Sequence, residues 1–340
     1  MHEDLTPGGA RFRTCHPGVT ERSIPMRYGL VVDSACDLPT AFYRDTGTVV
    51  LPISVHVDGD VFVDDRNPAV TARFLAENLG ARGHAAETEP YSAEEIRALF
   101  LERLVVDYDC VFCLTITSTR SPIHANASQA SFSILKDYRP IRRAAGVEGP
   151  FLLRVIDTGN LFAAQGVTAV EAIRMIRAGE TPGRIRERLE SLAHETYGYM
   201  LPRDLYYLRA RAQKKGDHSV GWLSAALGSA LDIKPLLRGF RGTTGPVAKL
   251  RGFDAGARAL FEYATGRVRA GLLTPTLCVS YGGDLDTMRA LPGYASLRQV
   301  CEEHRVELFE SVMSITGMIN VGTGALTLGF ASPEHDATFG

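Results

Sequence analysis

A run of hydroxyl side chains with one arginine follows a largely apolar segment near the middle of the chain. The apolar segment, 108–114, predicts a buried strand, and the residues after it are Thr-Ile-Thr-Ser-Thr-Arg-Ser-Pro, ending at Pro122. Ser121 before Pro122 is typical of a helix start, because serine caps free backbone N–H groups and proline fits the first helical position. Helix N-termini and the carboxyl ends of sheet strands both favour bound anions. The segment therefore predicts an anion site, although a helix cap without a ligand would explain the same residues.

The overall composition is that of a globular protein and excludes several function classes. The chain has 340 residues, 45% of them hydrophobic, and a net charge of −2. A nucleic-acid-binding protein is not expected, because such proteins carry a basic face. No apolar run reaches the ~18 residues that a membrane-spanning helix needs. Segment 1–27 lacks the apolar core of a secretory signal, and we expect it to be a flexible extension of a cytoplasmic protein.

The cysteines and the short motifs give no sign of a metal or a cofactor. Cys110 and Cys113 form a C-x-x-C, a spacing found in zinc and redox sites. In a strand, residues three apart point to opposite faces, so we interpret the two thiols as buried core groups. The sequence contains neither a G-x-x-x-x-G-K-[ST] phosphate loop nor a G-x-S-x-G elbow. We therefore expect no catalytic residue, no metal ion and no cofactor.

Strands and helices alternate over the first half, which predicts an α/β fold with a largely parallel sheet. We expect an N-terminal α/β domain over 28–178 and a C-terminal α/β domain over 179–340. The strands predicted for the first domain are 28–32, 49–57, 61–63, 108–114 and 151–156. The strands predicted for the second are 233–237 (at a sheet edge), 247–251, 276–281, 306–315 and 318–330. Helices are predicted at 38–46, 92–100, 122–138, 183–194, 204–216, 220–231, 253–270 and 294–303, and another passes through 167–176 and ends at Gly179.

Five short motifs, in order, resemble those of the DegV family of fatty-acid-binding proteins. The resemblance covers about Tyr28 to Ala331 and is carried by Val-Val-Asp-Ser-Ala-Cys-Asp-Leu-Pro (31–39), Leu-Pro-Ile (51–53), Thr-Ser-Thr-Arg-Ser (117–121), Leu-Gly-Ser-Ala-Leu-Asp-Ile-Lys-Pro (227–235) and Gly-Thr-Gly-Ala (322–325). It implies a two-domain DegV-like fold, with a parallel-sheet N-terminal domain and an α/β C-terminal domain. A ligand tunnel would lie between the two domains.

The resemblance also implies a ligand and the residues that bind it. A long-chain fatty acid would occupy the tunnel, with its carboxylate held by hydroxyl and polar side chains. The positions that match the family's motifs are Thr88, Thr117, Ser118, Ser121 and Asn320, and Arg120 in the same loop could add positive charge. In some bacteria such proteins present the acyl group to a separate kinase. A fatty acid kinase subunit is therefore an implied partner.

The chain departs from the family's pattern in its polar residues. Glu89 stands where the family has serine, and it would repel a carboxylate unless it points away. Asn320 takes the place of a histidine. The family's Gly-Gly-Arg loop is not recognisable before the predicted helix at 220–231, because 213–220 is longer there. Arg209 or Arg211 could supply the arginine. His124 follows the Ser-Pro turn, and we interpret it as a surface or packing residue.

Two other classes of function stay open at this point. Asp33 and Ser34 end a predicted strand and could touch a ligand, but a structural turn is the simpler interpretation. An enzyme acting on a phosphorylated or acylated small molecule could use the same Ser/Thr loop. A lipid-regulated adaptor could dock its partner on the charged helix at 184–188.

The replacement of histidine by Asn320 predicts a carboxylate clamp that responds weakly to pH. Asparagine donates hydrogen bonds but lacks the charge of a protonated imidazole. We expect an Asn320→His variant to bind fatty acid more tightly as the pH falls from about 8 to about 5, the range in which histidine titrates. Equal affinities of the variant across this range would contradict the prediction.

Overall fold

The computed structural model describes residues 26–80, 86–204 and 232–339. Within them, the N-terminal part contains β1 (Tyr28–Asp33), α1 (Thr40–Thr46), β2 (Val49–Leu51), β3 (Ile53–Val57), β4 (Asp60–Asp64), α2 (Pro68–Ala76), β5 (Ala86–Pro90), α3 (Ala93–Leu99), a π-helix (Phe100–Leu104), α4 (Val105–Asp107), β6 (Cys110–Thr115), α5 (Ile123–Ser133), a 3-10 helix (Ile134–Lys136), α6 (Tyr138–Ala144), β7 (Leu152–Asp157) and α7 (Ala163–Arg177). The predicted helix over 122–138 is therefore interrupted after Ser133.

The C-terminal part continues the alternation of helices and strands. It contains α8 (Pro182–Ala193), β8 (Thr196–Leu201), β9 (Ile233–Phe240), β10 (Thr243–Arg251), α9 (Phe253–Ala270), β11 (Thr276–Tyr281), α10 (Leu285–Arg289), α11 (Tyr294–Glu303), β12 (Glu307–Val312), α12 (Ile315–Val321) and β13 (Leu326–Ala331). The predicted helices at 204–216 and 220–231, the candidates Arg209 and Arg211, and nearly all of the predicted extension 1–27 lie outside the described residues. None of the described helices is long and apolar enough to cross a membrane.

A four-stranded parallel sheet forms the centre of the N-terminal part, as the sequence predicts. Its order is β2-β1-β6-β7. Successive side chains of β6 enter different apolar clusters, because strand side chains alternate between the two faces of a sheet. Cys110 packs with the cluster that includes Phe112 and α7, and Cys113 packs with the cluster that includes Val111 and α5. Both thiols are buried on opposite faces, which confirms their interpretation as core residues.

The strand predicted over 49–57 is in fact two strands in two different sheets. Pro52 separates them, and a proline has no N–H group with which to continue a strand ladder. β2 ends at Leu51 in the parallel sheet, whereas β3 starts at Ile53 and is the middle strand of an antiparallel sheet with order β4-β3-β5. A hairpin turn at Asp58-Gly59 joins β3 and β4. This smaller sheet carries Thr88 on β5.

The C-terminal sheet has six described strands in the order β10-β9-β8-β13-β11-β12. β9 as a whole lies between β10 and β8, but its ladder with β8 runs only from Leu237 to Phe240. Residues 233–236 of the predicted edge segment 233–237 therefore pair with β10 alone. Pro235 precedes that ladder, so its missing N–H group removes no hydrogen bond to β8.

The strand predicted over 318–330 is wrong for 318–325. Residues Ile315–Val321 form α12, and only Leu326–Ala331 are extended. Ser314 caps the helix, since its hydroxyl accepts the Gly317 N–H at 3.0 Å. Gly322, with φ of 98°, ends it. A buried apolar run gives no periodicity by which a helix could be told from a strand, and this explains the error.

The two parts are joined by α7 and by a buried aspartate. α7 packs against β1 and β6 of the parallel sheet and against β8, β11 and β13 of the C-terminal sheet. The carboxylate of Asp37 accepts hydrogen bonds from Arg66 Nη1 at 3.1 Å, Ser280 Oγ at 2.6 Å and the Ser314 N–H at 2.9 Å. Asp37 and Arg66 are almost completely buried. The ion pair therefore fixes the N-terminal part against the C-terminal sheet.

An Asp37→Asn substitution tests this role. It leaves the Arg66 guanidinium buried without its charge partner, and removing one member of a buried ion pair costs ~3–5 kcal/mol of unfolding free energy. The exposed pair of Arg44 and Asp45 provides the control, and Asp45→Asn should change the unfolding free energy by less than ~1 kcal/mol. Urea unfolding of the two variants compares them directly. Equal, small losses would contradict the assigned role of Asp37.

Candidate functional site

The carboxyl edge of the parallel sheet has the topology of a ligand site. The strand order reverses between β1 and β6, and open α/β sheets bind ligands in the crevice at such a point. Asp33, the last residue of β1, bridges the crevice. Its carboxylate accepts the Ile116 N–H at 2.5 Å, the Ala35 N–H at 3.0 Å and the Gln165 amide at 3.2 Å. Asp33 thus fixes the loop after β6, in agreement with its interpretation as a structural residue.

A second carboxylate, Asp64, lies buried near Asp33. Its Oδ2 accepts the Thr316 N–H at 2.8 Å, and its Oδ1 has no partner among the described residues. The hydroxyls of Ser34 and Thr316 approach each other to 3.5 Å. Burial raises the pKa of Asp33 to about 6, despite the hydrogen bonds that it accepts. Burial also raises the pKa of Asp64 against the attraction of Arg66.

Thr117 turns toward the C-terminal sheet instead of the helix start. Its N–H donates to the Asn160 carbonyl at 2.9 Å, and its hydroxyl is 3.2 Å from that of Thr119. Thr119 in turn donates to the Gly242 carbonyl at 2.6 Å, in the turn between β9 and β10. A Cβ at Gly242 (φ of 76°) would lie 3.2 Å from the Thr117 hydroxyl oxygen. The Thr117 side chain therefore contributes to the contact between this loop and the β9–β10 turn.

The rest of the hydroxyl loop lies at the start of α5. Ser118 is exposed, and its N–H donates to the Asp157 carboxylate at 3.1 Å. Ser121 accepts the Ile123 N–H at 3.3 Å, and Arg120 is half-buried. The predicted helix start is displaced by one residue. Pro122 has helical dihedrals but occupies the capping position, and α5 begins at Ile123.

Thr88 and Glu89 lie on opposite faces of β5. Thr88 is paired with Val55, whose side chain is buried in the apolar cluster beneath the small sheet. The Glu89 side chain is 74% exposed and lies 3.1 Å from His56 on the outer face. Alternation along the strand therefore directs Glu89 away from Thr88. The repulsion that Glu89 could exert on a carboxylate beside Thr88 is avoided in this way.

Asn320 lies in α12, which packs against β3 and β5. One amide hydrogen of Asn320 is donated to the Thr316 carbonyl at 2.8 Å, within the same helix. The start of α5 is linked to the end of β5 because Asn126 donates to the Tyr91 carbonyl at 2.8 Å. The structure therefore brings together the elements that carry Thr88, Ser121 and Asn320.

An apolar cluster lies beneath these elements. Its buried members come from both N-terminal sheets, from the helices above them and from α12, and they include Val55, Phe62, Phe74, Ile96, Phe100, Ile123, Ala127, Met318, Ile319 and Val321. Polar donors at the rim of such a cluster form the combination that an amphipathic anion requires. Elsewhere, a cavity of about 500 Å³ is lined mainly by charged residues, Arg203, Lys234 and Arg251 among them. It includes none of the predicted site residues.

His124, interpreted from the sequence as a surface or packing residue, is half-buried, and its Nδ1 lies 3.1 Å from the hydroxyl of Thr115 at the end of β6. The described residues contain no group of three or more histidine, cysteine or acidic side chains arranged to hold a metal ion.

Comparison with known proteins agrees with this architecture. The sequence profile described as "Uncharacterised protein, DegV family" matches residues 27–332. The chain belongs to the DegV family. A DegV domain-containing protein of Xanthomonas axonopodis pv. citri is 60% identical over 310 residues, which cover 91% of this chain and 99% of that protein. A DegV domain-containing protein of Streptomyces coelicolor is 28% identical over 70% of this chain and 76% of its own length.

Solved DegV structures share the fold. A DegV lipid-binding protein of Thermotoga maritima superposes with a TM-score of 0.69 at 20% identity, over 91% of this chain and all of that one. A stearic-acid-binding protein of Eubacterium ventriosum also has a TM-score of 0.69, at 20% identity, over 90% of this chain and 98% of its own. DegV of Bacillus subtilis, a fatty-acid-binding protein, has a TM-score of 0.68 at 19% identity, over 91% and 100% of the two chains. The α/β fold with one parallel and one mixed sheet is therefore that of the DegV family.

The raised pKa of Asp33 predicts an unusual pH dependence of stability. Burial lifts this pKa from 3.8 to about 6, so the neutral form is favoured in the folded state. The protonation of Asp33 contributes fully to the unfolding free energy below pH 3.8. This contribution is lost as the pH rises through about 6, a change on the order of 2–3 kcal/mol.

Asp33→Asn removes this titration. The variant should be less stable at every pH, because asparagine cannot accept all three hydrogen bonds, but its unfolding free energy should decline less steeply than that of the wild type as the pH rises over this range. Urea unfolding at a series of pH values gives both slopes. If the unfolding free energies of the two proteins change with pH in parallel, the raised pKa does not belong to Asp33.

Proposed function

We propose that this DegV protein binds a long-chain fatty acid, with the carboxylate at the carboxyl edge of the parallel sheet and the acyl chain in an apolar tunnel. One observation carries the proposal. Thr88 is half-buried on the face of β5 that covers the apolar cluster, and its hydroxyl makes no hydrogen bond within the described part of the chain. A donor without a partner at the rim of an apolar core is suited to a ligand that has one polar end.

The other proposed head-group donors come from the loop after β6 and from α12, which packs against β5. Ser121 accepts a hydrogen bond from Ile123, so its own O–H remains available to donate. Ser118 has an exposed hydroxyl, and Asn320 keeps its second amide hydrogen. Arg120 adds a positive charge to the same loop. Thr117 belongs to the site as the residue that holds the loop against the β9–β10 turn.

The acyl chain would supply most of the binding free energy. Each buried methylene contributes ~0.8 kcal/mol, so a long chain contributes on the order of 10 kcal/mol before association costs are subtracted. The head-group contacts then fix the orientation of the ligand. The tunnel would lie between an N-terminal domain over 28–178 and a C-terminal domain over 179–340. The two N-terminal sheets and the six-stranded sheet fall on either side of that boundary, which supports the division.

Relatives support the choice of ligand. The proteins of Eubacterium ventriosum and Bacillus subtilis are named for binding stearic acid and fatty acid, respectively. We infer binding without catalysis, and presentation of the acyl group to a separate fatty acid kinase in the cytoplasm.

Variants on the two faces of β5 test the proposal. Thr88→Val keeps the shape of the side chain and removes the donor, and a hydrogen bond to a charged group contributes ~1.5–3 kcal/mol. We expect stearate to bind this variant about tenfold more weakly, or weaker still, in a fluorescence-displacement titration. Ser121→Ala should show a loss of the same order.

Glu89→Gln is the matched control, because it alters the neighbouring residue on the outer face. Its affinity for stearate should equal that of the wild type. If all three variants bind as the wild type does, the head group lies elsewhere. If wild-type protein binds no fatty acid, the proposed function is wrong.

A further inference from the structure

The imidazole of His124 lies where the hydroxyl loop meets the apolar cluster. It belongs to the first turn of α5, directly after the buried Ile123, and Ala127, one turn further on, is also buried. Ser121 lies just before the helix, where its hydroxyl accepts the N–H of Ile123, the residue next to His124. A polar group in this position borders both the head group and the first carbons of an acyl chain.

We propose that His124 determines specificity for an acidic head group by donating a hydrogen bond to it from Nε2. The proposal rests on the proposed function and adds a residue that none of the family motifs in this sequence assigns.

The contact with Thr115 orients the ring. Thr115 is completely buried at the end of β6, and its hydroxyl lies 3.1 Å from His124 Nδ1. The hydrogen bond that one ring nitrogen of a histidine makes determines whether the other nitrogen carries a hydrogen. When Thr115 donates to Nδ1, the hydrogen of the neutral ring is on Nε2, and protonation of the ring also leaves a hydrogen there. Nε2 has no partner within the described part of the chain.

The polar groups around His124 explain why its donor matters. The N–H of Ser118 is already bound to the Asp157 carboxylate, and one amide hydrogen of Asn320 is bound to Thr316. Besides Arg120, the remaining donors in the loop are hydroxyls, which can both donate and accept and therefore tolerate an alcohol as well as a carboxylate. An Nε2–H group only donates. It favours a ligand that only accepts hydrogen bonds, which is the property of a carboxylate.

Two ligands of equal chain length separate this role from a packing role. Palmitate and hexadecanol are titrated into wild type, His124→Phe and His124→Gln, with His304→Gln as the control at the exposed end of α11. We expect His124→Phe to bind palmitate about tenfold more weakly, since a lost charged hydrogen bond contributes ~1.5 kcal/mol or more, and to bind hexadecanol unchanged. His124→Gln should recover part of the palmitate affinity, and His304→Gln should match the wild type.

The imidazole ¹⁵N signals of wild-type protein provide a readout that needs no variant. Palmitate should shift the Nε2 signal of His124, and hexadecanol should leave it in place. The inference is overturned if His124→Phe loses both ligands equally, or if palmitate binds to wild type without moving that signal. If neither ligand binds to wild type, the proposed function fails. If palmitate binds equally to all variants, only the role of His124 fails.

Discussion

The carboxylate of Asp37 is buried where the parallel sheet meets the six-stranded sheet, and Arg66 is its charge partner. Arg66 also donates to the carbonyls of Leu38 and Val312, so the guanidinium connects the small sheet to the ends of two distant segments. A buried charge is tolerated only when it is paired and hydrogen-bonded. The positions of β4, β12 and the start of α12 are therefore tied to one ion pair.

The carboxyl edge of the parallel sheet, where the candidate site lies, depends on two further buried aspartates near Asp37. Asp33 holds the loop after β6 through the Ile116 N–H, and Asp64 holds the first turn of α12 through the Thr316 N–H. These two anchors set the distance between the hydroxyl loop and the helix that carries Asn320. The apolar cluster beneath them has no direction of its own, because the hydrophobic effect is non-directional. Hydrogen bonds from the buried carboxylates provide the geometry that the cluster lacks.

The sequence predicts several α/β elements well. α9, α11 and β11 begin and end at the predicted residues. The prediction fails at Pro52, where one predicted strand is two strands in different sheets, and over 318–325, where α12 and the turn after it replace a predicted strand. Sheet membership is not encoded locally, so β9 could not be placed in the interior of its sheet.

The candidate site could be predicted only in part, because short motifs are local and strand pairing is not. Short motifs made Ser118, Ser121 and Thr88 candidates. Glu89 could be placed on the outer face only once the pairing of β5 with β3 was known. The role of Asp37 requires Ser280 and Ser314, more than 240 residues away in sequence. No local pattern reports such contacts. The same holds for His124, whose partner Thr115 lies on the neighbouring strand.

Native mass spectrometry of the purified protein shows directly whether an acyl chain occupies it. We expect a mass increase equal to one long-chain fatty acid per chain, lost on denaturation and recovered by lipid extraction. If the protein is isolated empty, added stearate should restore the same increase. A protein that is empty and takes up no added fatty acid does not have the proposed function.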